Sequence, residues 1–160
     1  MTIAVGDRVP SATLKYMTGD GPKDISTEEL FSGKNVVLFA LPGAFTPTCS
    51  KAHLPGYLVK SDDLFAKGVD RIVCLSVNDA FVMGAWGENQ NVEDRILMIA
   101  DGNAEFTRAI GLEMDLSAGG MGLRSQRYAM VVKDGVVTLL NVEAPRKFEV
   151  SDAETVLNSL

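Results

Sequence analysis

The chain has 160 residues, 46% of them apolar and 22% charged, and a formal net charge of −6. Such a composition suits a globular protein with a core of its own and excludes a disordered one. The acidic balance argues against nucleic acid or an anionic membrane surface as a partner, and no apolar run approaches the roughly 18–20 residues needed to cross a bilayer.

In chain order, Ser26-x-x-Glu29 fits a capping box that opens a short helix. Asn35 to Leu41 reads as a fully buried strand. A loop, Pro42-Gly43-Ala44-Phe45, leads to Thr46 as the N-cap, Pro47 at the first helical position and Cys49 in the first turn. The helical segment runs from Pro47 to about Lys67, and Pro55-Gly56 should kink or break it. Arg71 to Val77 reads as a second buried strand. Asp79 to Glu88 reads as a helix with Phe81, Ala85 and Trp86 at helical spacing. Arg95 to Ala100 is a third strand, ending at Asp101-Gly102. Gly119-Gly120-Met121-Gly122 is a flexible turn without phosphate-binding spacing. Tyr128 to Val132 and Val136 to Val142 flank Lys133-Asp134-Gly135, a hairpin signal. Ser151-x-x-Glu154 fits a second capping box, and Ala153, Val156, Leu157 and Leu160 share the face of a terminal helix. Without a repeat or linker, residues 1–160 read as one domain. The alternation gives an α/β fold with a mixed sheet, whose order resembles a thioredoxin-like sheet with N-terminal additions.

Two cysteines, Cys49 and Cys74, do not make a disulfide scaffold. A reducing compartment is expected, the cytoplasm in the first place, because the opening residues lack a basic segment followed by an apolar one. With a single histidine, His53, and no spaced Cys/His cluster, no metal site is expected, and no motif calls for a cofactor. Cys74 falls mid-strand and reads as an inert core thiol. Cys49 is placed differently. The unsatisfied amides of a helix start favour an anion, and the thiolate is the reactive form of cysteine. A helix end contributes only about 0.3–1 kcal/mol in exposed settings and up to about 2 in buried ones. A nearby arginine or hydroxyl donor should supply the remainder. His53, one helical turn after Cys49, reads as a packing or hydrogen-bonding residue. Phe45 and Phe81 read as core or as walls of an apolar substrate pocket.

The pattern Pro42-x-x-x-Thr46-x-x-Cys49, with Ser50 and His53-Leu54-Pro55 behind it, resembles the signature of the type II peroxiredoxins. Ser76-Val77-Asn78-Asp79, Arg124-Ser125-Gln126-Arg127-Tyr128 and Asn141-Val142-Glu143 extend the similarity over nearly the whole chain. The resemblance implies a thiol peroxidase acting on hydrogen peroxide and organic hydroperoxides. Cys49 would be the peroxidatic cysteine, Thr46 the hydroxyl on thiolate and peroxide, Pro42 the shield against solvent, and Arg124 the guanidinium that holds the thiolate. Relatives with an internal resolving cysteine carry it after Asn-Val-Glu; here Ala144 to Ser151 holds none. The resemblance therefore implies an external reductant, glutaredoxin with glutathione or thioredoxin, and a homodimer packed near the active sites. Two other readings stand beside it: a thiol-disulfide oxidoreductase using Cys49 and Cys74, and a non-catalytic thioredoxin-like binding module.

Overall fold

The computed structural model describes residues 1–160. A hairpin of β1 (Thr13–Thr18) and β2 (Gly21–Ser26) leads into α1 (Thr27–Phe31) and β3 (Asn35–Ala40). After a π-helical turn at Cys49–His53 come α2 (Leu54–Val59), α3 (Ser61–Ala66), β4 (Arg71–Ser76), α4 (Ala80–Asn89), β5 (Leu97–Ala100) and α5 (Glu105–Ala109). The chain closes with β6 (Glu113–Asp115), β7 (Leu123–Ser125), β8 (Tyr128–Lys133), β9 (Val136–Val142) and α6 (Ala153–Asn158). Seven strands form one sheet in the order β2-β1-β5-β4-β3-β8-β9, and β6 and β7 pair separately. β3, β4 and β5 run parallel, while β8 joins β3 antiparallel, which makes the sheet mixed as the sequence pattern predicts.

The near-continuous apolar runs of β3 and β4 are buried on both faces, as central strands under two helical layers require. Alternation sorts them between two cores. Val37, Phe39, Ile72 and Cys74 face one core with Tyr57 of α2, Trp86 of α4 and Val156 of α6. Val36, Leu38, Val73 and Leu75 face the other with Leu30 of α1 and Phe106 of α5. Cys49 belongs to the first core, at its edge above β3. Phe39 stacks on Tyr57 with centroids 4.0 Å apart, a pairing that adds about 0.5–1.5 kcal/mol to the burial of both rings.

Several expectations change. The N-terminal hairpin escapes a periodicity reading, because β2 carries Gly, Pro, Lys and Asp; it forms as an edge strand, where Pro22 costs no ladder bond. The third buried strand starts at Leu97, two residues later than expected. Ser26 and Glu29 do form the capping box, but the cap of α6 is Asp152, whose carboxylate accepts from Thr155 N at 3.2 Å; Ser151 is turned inward instead. Pro55 does not break the helix. Its missing N–H and its ring are accommodated by the wider turn at Cys49–His53, where Leu54 N reaches back to Cys49 O, and the break falls later, at Lys60.

Candidate active site

β3 ends at Ala40, and the next residues form a loop that returns the chain into a helical run beginning at Pro47. Phe45 turns this loop at φ 64°, a left-handed conformation unusual for a bulky side chain. Neighbouring elements hold it. Asn78 Oδ1 accepts from Ala44 N at 3.0 Å and from Ser76 Oγ at 2.6 Å. Thr46 Oγ1 donates to Gly43 O at 2.7 Å, and Thr46 O accepts the first helical bond from Ser50 N at 2.9 Å. Thr46 thus stands at the cap position by its carbonyl, with its hydroxyl turned to the loop. Cys49 follows in the first turn with 1% of its surface exposed.

The guanidinium on the sulfur is not the expected one. Arg124 in β7 donates through Nη1 to Pro42 O at 3.2 Å and through Nε to Met121 O at 2.9 Å. It ties the Pro42 loop to the β6–β7 segment and makes no bond with Cys49. Arg127, immediately before β8, places Nη2 3.1 Å from Cys49 Sγ. It is the single hydrogen-bond donor on that sulfur. The antiparallel pairing explains why: Ala40 lies opposite Tyr128, so Arg127 falls level with Leu41 at the start of the reactive loop.

His53, also fully buried, completes the arrangement. Its Nδ1 lies 2.7 Å from Arg127 Nη1 and its Nε2 lies 3.1 Å from Ser151 O. A guanidinium can only donate and a carbonyl can only accept. The ring is therefore neutral, with its hydrogen on Nε2. Burial, and then the Arg127 charge, push its pKa down to about 3. His53, read from the sequence as a packing or hydrogen-bonding residue, here hydrogen-bonds with the arginine that contacts the sulfur. Phe148 covers both partners, 4.9 Å from the His53 ring and 5.7 Å from the Arg127 guanidinium carbon.

A cavity of about 610 Å³ opens beside these groups, lined among others by Pro42, Thr48, Met114, Arg127, Glu143 and Phe148. Phe45 and Phe81 line neither it nor a core: they are 53% and 66% exposed. Cys74 is fully buried in β4, and burial, then the neighbouring Cys49, push its thiol pKa well up. Both cysteines are free thiols. No group of three or more His, Cys, Asp or Glu side chains is placed to hold a metal. No helix is long and apolar enough to cross a membrane.

A family model described as Redoxin matches residues 4–157. The chain is 54% identical over 164 residues to the chloroplastic peroxiredoxin-2E-2 of Oryza sativa subsp. japonica, covering 99% of this chain and 73% of the relative. It is 46% identical over 159 residues to peroxiredoxin-2B of Arabidopsis thaliana, covering 99% and 98%. Among solved structures, reduced Prx3 in complex with hydrogen peroxide from Vibrio vulnificus superposes with a TM-score of 0.95 at 64% identity, over 99% of both chains.

Proposed function

The chain belongs to the redoxin family and, within it, to the peroxiredoxins, which are thiol-dependent peroxidases, and from that premise we propose that Cys49 is its peroxidatic thiol and Arg127 the cation that serves it. The Cys49 thiolate attacks the terminal oxygen of a hydroperoxide. A sulfur–oxygen bond forms and the O–O bond breaks; the electron pair leaves on the distal fragment, which takes a proton and departs as water or alcohol. The sulfur is left as a sulfenic acid. Negative charge moves from sulfur to the leaving oxygen, and a forked, permanently charged guanidinium suits two successive positions of that charge. Thr46 offers a hydroxyl oxygen at the loop to accept a peroxide O–H, and Pro42 walls the sulfur from water. Arg124 acts one step back, by holding the Pro42 carbonyl.

Recycling runs through an external thiol in this reading. Ala144 to Ser151 holds no cysteine, and Cys74 lies in the middle of a fully buried strand, which also disfavours a Cys49–Cys74 oxidoreductase. The similarity to the type II peroxiredoxins points to glutaredoxin with glutathione, or thioredoxin, as that reductant. Two free thiols suit a reducing compartment, and we take it to be the cytoplasm. The exposed rings of Phe45 and Phe81, beside the reactive loop and at the start of α4, support a homodimer packed near the active sites.

The observation that carries the reading is the 3.1 Å approach of Arg127 Nη2 to Cys49 Sγ. Stopped-flow mixing of reduced protein with one equivalent of hydrogen peroxide, followed by thiol counting, tests it. One thiol should disappear in the native protein and none in Cys49→Ser. A Cys49→Ser protein that consumes peroxide at the native rate would overturn the assignment.

A further inference from the structure

Glu143 follows β9 and is 7% exposed, yet it pairs with no cation. Its carboxylate is instead filled by the chain that follows. Oε2 accepts from Glu149 N at 2.9 Å, Val150 N at 2.9 Å, Ser151 N at 2.8 Å and Ser151 Oγ at 2.7 Å, and Oε1 accepts from Glu149 N at 3.0 Å. Burial pushes this carboxyl up, but these donors outweigh it and hold it below the usual range. The segment so clasped ends at Ser151. Its carbonyl accepts from Tyr57 Oη at 2.7 Å and from His53 Nε2 at 3.1 Å.

We propose that Glu143 is a positioning residue for Arg127, acting through the Ser151 carbonyl and the His53 ring. This rests on reading Cys49 as the peroxide-attacking thiol. Glu143 itself makes no hydrogen bond with Arg127 or Cys49. By fixing the backbone at 149–151 it fixes the one acceptor that holds the imidazole hydrogen on Nε2. The opposite ring nitrogen is then a bare lone pair, and it accepts from Arg127 Nη1 at 2.7 Å. Because the guanidinium is planar, orienting Nη1 also orients Nη2 toward the sulfur. The same clasp holds Phe148 against both His53 and Arg127. Were the carbonyl to swing away, the imidazole hydrogen would be free to move to Nδ1, where it would point at a cation.

The chain's single histidine makes the test direct, since its ring nitrogens give an unambiguous NMR signal in ¹⁵N-labelled protein. Native protein should show the Nε2–H tautomer alone. Glu143→Ala should show a tautomer mixture and slow peroxide attack on Cys49 by about ten-fold, within the range of coupled neighbouring groups. In an Arg127→Ala background the same change should have no further effect on the rate. Ser151→Ala, which removes one side-chain contact and leaves the backbone intact, should move tautomer and rate the same way by a smaller factor, and it decides the matter if Glu143→Ala does not fold. An unchanged tautomer in these variants, or equal slowing with and without Arg127, would overturn the proposal. A native protein that fails to consume peroxide would instead sink the reading of Cys49.

Discussion

Arg127 Nη1 meets His53 Nδ1 at 2.7 Å inside the protein, a cation set against an imidazole that is obliged to stay neutral. Protonating the ring would place a hydrogen against the guanidinium and a charge in a buried site. With a folded-state pKa of about 3 against about 6.5 in the unfolded chain, the unfolded state takes up this proton first as pH falls. Stability is therefore unaffected by this group above about pH 6.5 and falls with decreasing pH between about 6.5 and 3, by about 1.4 kcal/mol per unit. Denaturant unfolding at pH 6.5 and pH 5 should register the loss, and His53→Gln should flatten it. Glu143 contributes in a lower, partly overlapping window: its depressed pKa supports the fold above about 4.5, and that support is lost as pH falls below this value.

Cys74 should take no part in the chemistry. It is fully buried in β4, and burial raises its thiol pKa, so it stays protonated and inaccessible at neutral pH. Cys74→Ala is expected to leave the single-turnover rate of peroxide attack within a few-fold of native. Loss comparable to that of Cys49→Ser, read by the same stopped-flow trace, would favour a paired-thiol mechanism.

Much of this site is legible in the sequence, and the place where it is not is instructive. The buried strand Asn35 to Leu41, the loop signature and the helix start put Cys49 where a reactive thiol belongs, because strand, cap and first turn are local features. The arginine is not local. Arg124 and Arg127 are three residues apart, and residue type alone does not say which reaches the sulfur. The signal was present in the pairing: the hairpin strand Tyr128 to Lys133 runs antiparallel to β3, which carries the residue before Tyr128 to the loop and the earlier one past it, to the Pro42 carbonyl. The role of Glu143 was out of reach, since it depends on a turn at 144–151 that has no periodicity and whose last residue, Ser151, reads in sequence as a helix cap and in the structure bonds to Glu143 instead. The N-terminal hairpin was hidden for a different reason, its edge strand having the composition of a loop.

Phe148 separates the 610 Å³ cavity at Arg127 from a second one of about 360 Å³ on the other side, lined by Pro55, Val59 and Ala153. Phe148→Ala should join them. Losing the ring face over Arg127 should slow attack on hydrogen peroxide by about two- to five-fold, the equivalent of 0.5–1 kcal/mol. The wider opening should raise the relative kcat/KM for a bulky aromatic hydroperoxide. Steady-state comparison of the two substrates reads both effects.

Gly43 leaves no room for a side chain. A Cβ there would lie 2.7 Å from Arg124 Nη1 and 3.3 Å from Thr46 Cγ2. Gly43→Ala should push the Arg124 guanidinium off the Pro42 carbonyl and loosen the loop, with a rate loss no larger than that of Arg124→Ala, because the displaced group is the end of a flexible side chain. A far larger loss would mean that Thr46 is displaced as well.

The division of labour between the two arginines is the most direct test. Peroxide attack on reduced protein should be timed in Arg127→Ala and Arg124→Ala alongside native protein, with each fold checked by circular dichroism. Removing the donor on the sulfur should slow the reaction by about 10²–10³-fold, as loss of a charge-stabilising donor does. Removing the carbonyl tie should cost about ten-fold or less, in line with one hydrogen bond. The reverse order, with Arg124→Ala the slower protein, would contradict the account.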